Sequence, residues 1–143
     1  MKVLYLSEVQ WLSQISRKHQ MARRFPESWR VLFLSPANLN AGENSFVTRS
    51  DETSPGVRYA SLPLPKPDSG SALLRGLTGL LSGVGGGAFL RRAASFEPDV
   101  AVFSYIYGAP FVSRLRETGV PVVYDCNDLH PDFYPARAVK ARR

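Results

Sequence analysis

The sequence predicts one α/β domain built on a doubly wound, mostly parallel sheet of about five strands. Short apolar segments rich in β-branched and aromatic residues recur along the 143-residue chain, which is typical of strands buried on both faces. Segments with apolar residues three or four positions apart lie between several of them, as expected for crossover helices. The length is that of a single domain, which can bury about two thirds of its unfolded surface.

Five segments are predicted to be strands because each is a short apolar run that stops at polar or turn-forming residues. Pro121 lies near the start of the last of them and argues against a strictly central hydrogen-bonded position there, although a proline is tolerated at the first residue of a strand. The segments are residues 2–7, 29–35, 57–62, 99–104 and 120–125.

Three segments have helical patterns. Residues 14–25 carry an apolar stripe that includes Ile15 and His19, and Pro26 closes the helix. Residues 71–96 are interrupted by glycines, so we expect two helices with a break near residues 83–87. The third segment covers residues 109–118, whereas residues 37–56 have no periodicity and are predicted to be loop.

Composition excludes several classes of protein. With 44% hydrophobic and 21% charged residues, the chain is not expected to be disordered. Cys126 is the single cysteine, which excludes an internal disulfide, fits a reducing compartment and is expected to pack. The formal charge is +6, but the basic residues are scattered without interleaved aromatic residues, so no nucleic-acid partner is expected.

The same features predict a soluble cytoplasmic protein. No secretory signal precedes the first strand, and the longest uncharged stretch, residues 76–90, is too short and too rich in glycine to span a membrane. Peripheral contact with the inner membrane face, through basic residues or a leucine-rich patch within residues 73–92, is an alternative to burial of those leucines against the sheet.

A polar cluster follows the last predicted strand and includes Asp125, Asn127, Asp128, His130 and Asp132. Ligands of open α/β sheets bind beyond the carboxyl ends of the strands, so this position favours a site. Capping of a following helix is the preferred interpretation over metal ligation. A third interpretation, compatible with capping, is that the cluster binds a polar ligand such as a sugar hydroxyl.

The loop after the first strand argues against a dinucleotide cofactor. Residues 7–13 contain no glycine, and Glu8 would repel a phosphate. A G-x-G-x-x-A pattern at residues 83–88 follows a helical segment and not a strand, so it carries little weight. No nicotinamide or flavin is therefore expected.

The first predicted helix begins with two cations. Arg17 or Lys18 could pair with a phosphate or with a carboxylate of the final cluster. A solvated basic face is the alternative. His19 lies on the apolar stripe, where a hydrogen-bonded core histidine and a catalytic one are both open interpretations.

Three parts of the sequence together resemble the retaining glycosyltransferases of family 4. Residues 1–7, the R-K-H-Q and A-R-R-F segments within residues 16–25, and strand residues 31–36 resemble the start of that family. Residues 121–132 are similar to its V-V-Y-D-A-H-E-L-Y-P-E pattern, although the family commonly has histidine where this chain has Asn127. Residues 37–96 match only in hydrophobic rhythm.

The resemblance implies a GT-B architecture of two facing Rossmann-like domains, with no metal and no cofactor. The amino-terminal domain would hold mainly the acceptor, and the carboxy-terminal domain would hold mainly the nucleotide-sugar donor. Asp125, Asn127 and Asp128 would line the cleft between the domains, with Arg17 and His19 on the helix nearby. No catalytic residue is assigned.

We therefore expect residues 1–143 to be a partial amino-terminal, acceptor-side domain from which the donor-binding domain is absent. The whole enzyme would transfer a sugar from a nucleotide-sugar to a polysaccharide or lipid-linked acceptor, and the isolated chain would be inactive. One alternative is a non-catalytic α/β binding module that pairs with a partner chain through its last strand. A nucleotide-dependent epimerase-like enzyme is a weaker alternative, because the glycine loop is missing.

Overall fold

The structure, a computed structural model, describes residues 1–12, 15–37, 47–62, 86–104 and 109–126. Within these residues six strands form one sheet with helices on both faces. The elements in chain order are β1 (Lys2–Leu6), α1 (Arg17–Arg23), β2 (Arg30–Pro36), β3 (Arg49–Ser50), β4 (Val57–Leu62), α2 (residues 86–96), β5 (Val100–Phe103), α3 (Ala109–Glu117) and β6 (Val122–Tyr124).

The strand order is β3-β4-β2-β1-β5-β6, and every pairing is parallel except the antiparallel β3–β4 pair. The chain moves outward from β1 to β2 and β4, and then crosses back to β5 and β6 on the other side. This confirms the predicted doubly wound, mostly parallel α/β class. It also places the topological switch point between β1 and β5, where such sheets bind ligands.

The alternation of side chains along the strands divides the core into two clusters. One lies on the face covered by α1 and contains Val3, Tyr5, Trp11, Ala22, Val31, Phe33, Val57, Tyr59 and Val102. The other lies on the face covered by α2 and α3 and includes Leu4, Leu6, Leu32, Leu34, Phe89, Phe96 and Leu115. Because both faces are covered, the central strands are apolar at nearly every position.

The first helix is shorter than its pattern predicts. Ser16 is the N-cap, with extended backbone angles, and α1 ends at Arg23, ahead of Pro26. Ile15 precedes the helix and is 62% exposed, so it does not belong to the buried stripe. The buried stripe is carried by His19 and Ala22.

The prediction that residues 37–56 are all loop is wrong at one place. Arg49 and Ser50 form β3 and pair with Tyr59 and Arg58 of β4. Two residues are too few to show the alternating pattern of a strand. The buried Asp51 that follows them holds the segment in place. The sheet therefore has six strands among the described residues, one more than predicted.

Other predictions fall partly outside the described residues. The break near residues 83–87 is not present at Gly86 and Gly87, which lie inside α2, while residues 63–85 are not among those described. Cys126, predicted to pack, is exposed. The predicted helix after the last strand and the rest of the final polar cluster, residues 127–143, also lie outside the described residues.

Candidate functional site

The carboxyl ends of β1, β5 and β6 finish level with one another and bring three chain segments together. Leu6 pairs with Phe103, and Phe103 pairs with Tyr124. The next residues continue the ladder, because the Ser104 N–H donates to the Leu6 carbonyl at 3.0 Å and the Asp125 N–H donates to the Phe103 carbonyl at 2.8 Å. Polar side chains after these strands therefore meet at the switch point.

Asp125 is the centre of the first polar network at this edge. Its Oδ2 accepts a hydrogen bond from the Tyr5 hydroxyl at 2.8 Å, and its Oδ1 is paired with the Arg17 guanidinium. The carboxylate is only 13% exposed, whereas the Arg17 side chain is 59% exposed. The carboxylate is thus fixed from the core side by a phenol and from the solvent side by a cation.

Tyr5 remains a hydrogen-bond donor over the whole physiological pH range. The residue is fully buried on the α1 face of the sheet, where its ring stacks on Phe33 with centroids 5.2 Å apart. Burial, followed by the hydrogen bond to Asp125 and the charge of that carboxylate, raises the pKa of Tyr5 well above its ordinary value. A phenol held protonated in this way orients the carboxylate without adding charge.

Glu8 is the centre of a second network beside the first. Its carboxylate forms an ion pair with Lys18, whose side chain is 8% exposed. It also accepts a hydrogen bond from the Ser104 hydroxyl at 3.2 Å. The loop that was expected to repel a phosphate therefore carries a compensated charge.

The two cations of these networks lie at the positive end of α1. Arg17 and Lys18 open the helix, and its first turn contains no acidic residue. Cations at a helix amino terminus are disfavoured by the helix dipole, so they need compensation from elsewhere. Asp125 and Glu8 supply it from two separate loops, and four charged side chains at this edge form two neutral pairs.

His19 is buried beneath this edge, and both of its ring nitrogens are hydrogen-bonded. Its Nε2 lies 2.8 Å from the Gln10 carbonyl and must carry the proton, because a carbonyl only accepts. Its Nδ1 accepts the Ser16 N–H at 3.0 Å. This bond closes the start of α1 in the way that a glutamate or glutamine does in a capping box.

The buried ring is neutral at pH 7. Burial lowers the pKa of His19, and the nearby charges of Arg23 and Lys18 lower it further, against the opposing effect of the Gln10 carbonyl. The ring contacts Trp11 and Phe33, with centroid separations of 5.1 and 5.4 Å. His19 therefore ties the loop after β1 to α1.

A third polar cluster, which the sequence did not indicate, anchors the far side of the same loop. Asp51 is 8% exposed and accepts hydrogen bonds from the Trp11 indole, the Arg23 guanidinium, and the backbone and hydroxyl of Thr53. Burial alone would raise the pKa of Asp51, but these hydrogen bonds outweigh it and lower the pKa below its ordinary value. The Arg23 guanidinium also lies over the Trp11 ring, 5.0 Å from its centroid.

The structure brings together two of the five residues predicted from the sequence. Arg17 and Asp125 are paired directly, which confirms the predicted option of a cation of α1 bound to a carboxylate of the final cluster. His19 is on the same helix, but its ring faces the core. Asn127 and Asp128 lie outside the described residues. Contact of any of the five with a substrate stays a prediction.

Sequence reasoning missed Tyr5 and Ser104 as members of the site, and Asp51 as its anchor. A tyrosine in the middle of an apolar strand has the pattern of a core residue, and only its buried hydroxyl hints at a partner. The unbalanced cations at the start of α1 were a usable signal, because they predict carboxylate partners from other loops.

The described residues contain no group of three or more histidine, cysteine and acidic side chains arranged to hold a metal ion. None of the helices described is both long and apolar enough to cross a membrane.

Comparison with known proteins adds the family. No curated protein matches the chain. The model of the family described as "Glycosyl transferase 4-like domain" matches residues 16–143, which include α1 and every element that follows it. The chain therefore belongs to the glycosyl transferase 4-like domain family.

Proposed function

We propose that this chain is the acceptor-side domain of a retaining glycosyltransferase that moves a sugar from a nucleotide-sugar to a polysaccharide or lipid-linked acceptor. Membership of the family supports glycosyl transfer in general. The finer assignment draws on the resemblance of residues 121–132 and on the geometry of the edge where they begin.

The observation that carries the proposal is the position of Asp125. It follows β6 at the switch-point edge, and its carboxylate is held by a buried phenol and an exposed guanidinium. Each carboxylate oxygen has two lone-pair sites, so Asp125 can still accept a hydrogen bond from a ligand hydroxyl. A group fixed before the ligand arrives costs less ordering entropy on binding.

The charge balance of the edge favours an uncharged ligand. Arg17 with Asp125, and Lys18 with Glu8, form neutral pairs, so the four side chains together give no net attraction for a diphosphate. They do offer donors and acceptors in close alternation, which suits sugar hydroxyls. This supports the assignment to the acceptor, with the donor phosphates held by a second domain.

Within this proposal the other predicted residues have different roles. Arg17, 59% exposed, donates to the acceptor, while Asn127 and Asp128 extend the same wall by resemblance to the family motif. His19 is a positioning residue, because its ring nitrogens hold Gln10 and Ser16 and leave none for a substrate.

The first test addresses activity. The purified 143-residue chain is incubated with a panel of radiolabelled nucleotide-sugars, and we expect neither transfer nor hydrolysis, because residues 1–143 are proposed to form the acceptor side only. Turnover of any nucleotide-sugar by this chain would contradict the assignment to the acceptor side only.

The second test addresses the acceptor. Saturation-transfer NMR of the chain with a panel of oligosaccharides should show binding that Arg17→Gln and Asp125→Asn both weaken. Arg24→Gln is the matched control, since Arg24 is an exposed arginine that caps the other end of the same helix. Equal binding by all variants would remove Asp125 from the site.

We also propose a cytoplasmic location with peripheral contact at the inner membrane face, where lipid-linked acceptors would be met. The supporting feature is the excess of basic residues in the sequence. Fractionation of cells that produce the chain should recover part of it with membranes at low salt and release that part at high salt. Recovery in the membrane fraction that salt does not change contradicts electrostatic contact.

A second candidate function is a binding module that pairs with a partner through β6. This strand is the outermost of the described sheet on its side, and Val123 and Tyr124 are 51% and 47% exposed. Exposed edge strands template pairing with other chains. A downstream reading frame that encodes a second Rossmann-like domain favours the transferase, whereas concentration-dependent self-association abolished by Val123→Lys favours the binding module.

A further inference from the structure

A basic groove lies at the amino-terminal end of the sheet, opposite the edge that carries Asp125. Its volume is about 380 Å³. Three cations from three neighbouring strands line it: Lys2, Arg30 and Arg58. Ser50 of β3 and the last turn of α2, with Ser95 and Phe96, complete the walls.

Strand register places these side chains on one face of the sheet. Lys2 pairs with Arg30, and two positions along β2 Leu32 pairs with Arg58, so all three share the face of Leu4 and Leu32 in the core beneath α2. Ser50 pairs with Arg58 across the antiparallel β3–β4 ladder and faces the same way. The convergence of the cations therefore follows from the topology and not from chance side-chain orientation.

Among the described residues, the two arginines differ from the cations of the Asp125 edge in having no acidic ion-pair partner. Lys2 is bonded to Glu97 at 3.2 Å, and its backbone N–H donates to Asp99 at 2.6 Å. Among the ion pairs of the described residues, none involves Arg30 or Arg58. Even with both acids counted, the groove keeps an excess of positive charge.

Arg58 is also held in place. Its guanidinium lies over the Phe96 ring, 5.7 Å from the centroid, and Phe96 is 5% exposed. Stacking on an aromatic face leaves the edge donors of a guanidinium directed outward. Arg30 is exposed beside it and supplies a second planar set of donors.

We propose that this groove binds a phosphate group. Guanidinium groups match the geometry of phosphate oxygens through paired hydrogen bonds, and the hydroxyl of Ser50 adds a neutral donor at the rim. The volume accommodates a phosphomonoester or a diphosphate. The source is either a soluble phosphate compound or a phospholipid headgroup.

The proposal is independent of the acceptor site, because the groove and Asp125 lie at opposite ends of the parallel strands. Failure of one does not affect the other. The proposal predicts an anion site at one end of the sheet, whereas the ion pairs at the switch-point edge are neutral overall.

The experiment measures two ligands with the full chain. Calorimetric titration with inorganic pyrophosphate tests a soluble source, and co-sedimentation with phosphatidylglycerol vesicles, against phosphatidylcholine vesicles, tests a lipid source. Arg30→Gln and Arg58→Gln should each weaken the binding by at least about tenfold. Arg49→Gln is the matched control, because Arg49 pairs with Tyr59 and lies on the opposite face of the same short strand.

Ser50→Asp is a second variant that leaves both arginines in place. Ser50 is exposed on β3, and the introduced carboxylate would lie beside Arg58 and abolish binding. Loss of either pyrophosphate or anionic-vesicle binding in the groove variants alone supports the proposal and identifies the source. Absence of binding to both ligands, or an equal loss with Arg49→Gln, overturns it. Thermal unfolding of each variant checks that the fold is retained.

Discussion

Replacing Asp125 with alanine should destabilise the domain by about 2 kcal/mol, because the Tyr5 hydroxyl of β1 loses its hydrogen-bond acceptor. The substitution removes the acceptor of the Tyr5 phenol, which is fully buried and cannot turn to water. An unmet buried donor costs about 1–3 kcal/mol.

The ion pair between Arg17 and Asp125 contributes less. Because the Arg17 side chain is 59% exposed, the pair is screened and adds at most about 1 kcal/mol. Tyr5→Phe removes the donor instead of the acceptor and leaves Asp125 with Arg17, so we expect a loss of about 0.5–1.5 kcal/mol. In Tyr5→Phe/Asp125→Ala no buried donor is left unmet, and the two single costs should fail to add by about 1 kcal/mol.

The assay is urea unfolding of the wild type, the two single variants and the double variant, with free energies compared in a double-mutant cycle. Tyr59→Phe combined with Asp125→Ala is the control cycle. Tyr59 is a second buried tyrosine on the same face of the sheet, in β4, and no hydrogen bond joins it to Asp125. Costs of Tyr5→Phe and Asp125→Ala that add within about 0.3 kcal/mol would refute the bond as an energetic link between β1 and β6.

Three further predictions concern stability. Burial holds the pKa of His19 below its ordinary value, so the unfolded chain takes up the proton first as the pH falls. The free energy of unfolding should therefore decrease below about pH 6.5, by at most ~1.4 kcal/mol per pH unit. His19→Gln should remove this pH dependence from thermal unfolding, and an unchanged pH dependence contradicts the assignment. Asp51→Ala leaves four hydrogen-bond donors without their acceptor and should cost about 3–5 kcal/mol in urea unfolding, whereas a loss below about 1 kcal/mol would show that water replaces the carboxylate. Gly56→Ala places a Cβ 2.8 Å from the Trp29 carbonyl oxygen and should lower the melting temperature. Gly87→Ala lies inside α2, where the new Cβ meets only the flexible end of an arginine at 3.4 Å, so it should raise the melting temperature or leave it unchanged. Equal effects of the two substitutions would contradict the steric argument.

The central strands could be predicted because burial on both faces leaves a direct trace in the sequence. β4 has the bounds predicted for it, Val57–Leu62, and the other parallel strands differ by a residue or two at their ends. The short edge strand β3 left no such trace, since its two residues are exposed and owe their order to pairing with β4 and to the neighbouring Asp51. Tertiary contacts decided that element, and they cannot be inferred from local pattern.

Part of the site could be predicted for a similar reason. Parallel strands end at a common edge, so a pair between a cation of α1 and a carboxylate after β6 was one of the predicted options, and Arg17 does pair with Asp125. Tyr5 could not be included, because its partner is 120 positions away and nothing in an apolar strand distinguishes a bonded phenol from a packed one. Glu8 was expected to repel a phosphate, but the structure pairs its carboxylate with Lys18.

The formal charge of +6 is distributed unevenly between the two ends of the sheet, because the cations are paired with carboxylates at one end and keep an excess of positive charge at the other. At the carboxyl edge the topology delivers one carboxylate to each cation, so Arg17 and Lys18 contribute no net field there. At the amino edge the same topology places Arg30 and Arg58 side by side, and neither forms an ion pair with an acid among the described residues. The fold decides whether a basic residue has an acidic partner, and this determines what the residue can bind. The amino-acid composition gives the number of cations but not their partners. One domain can therefore offer a neutral, hydroxyl-accepting edge and an oxyanion-binding groove at the same time.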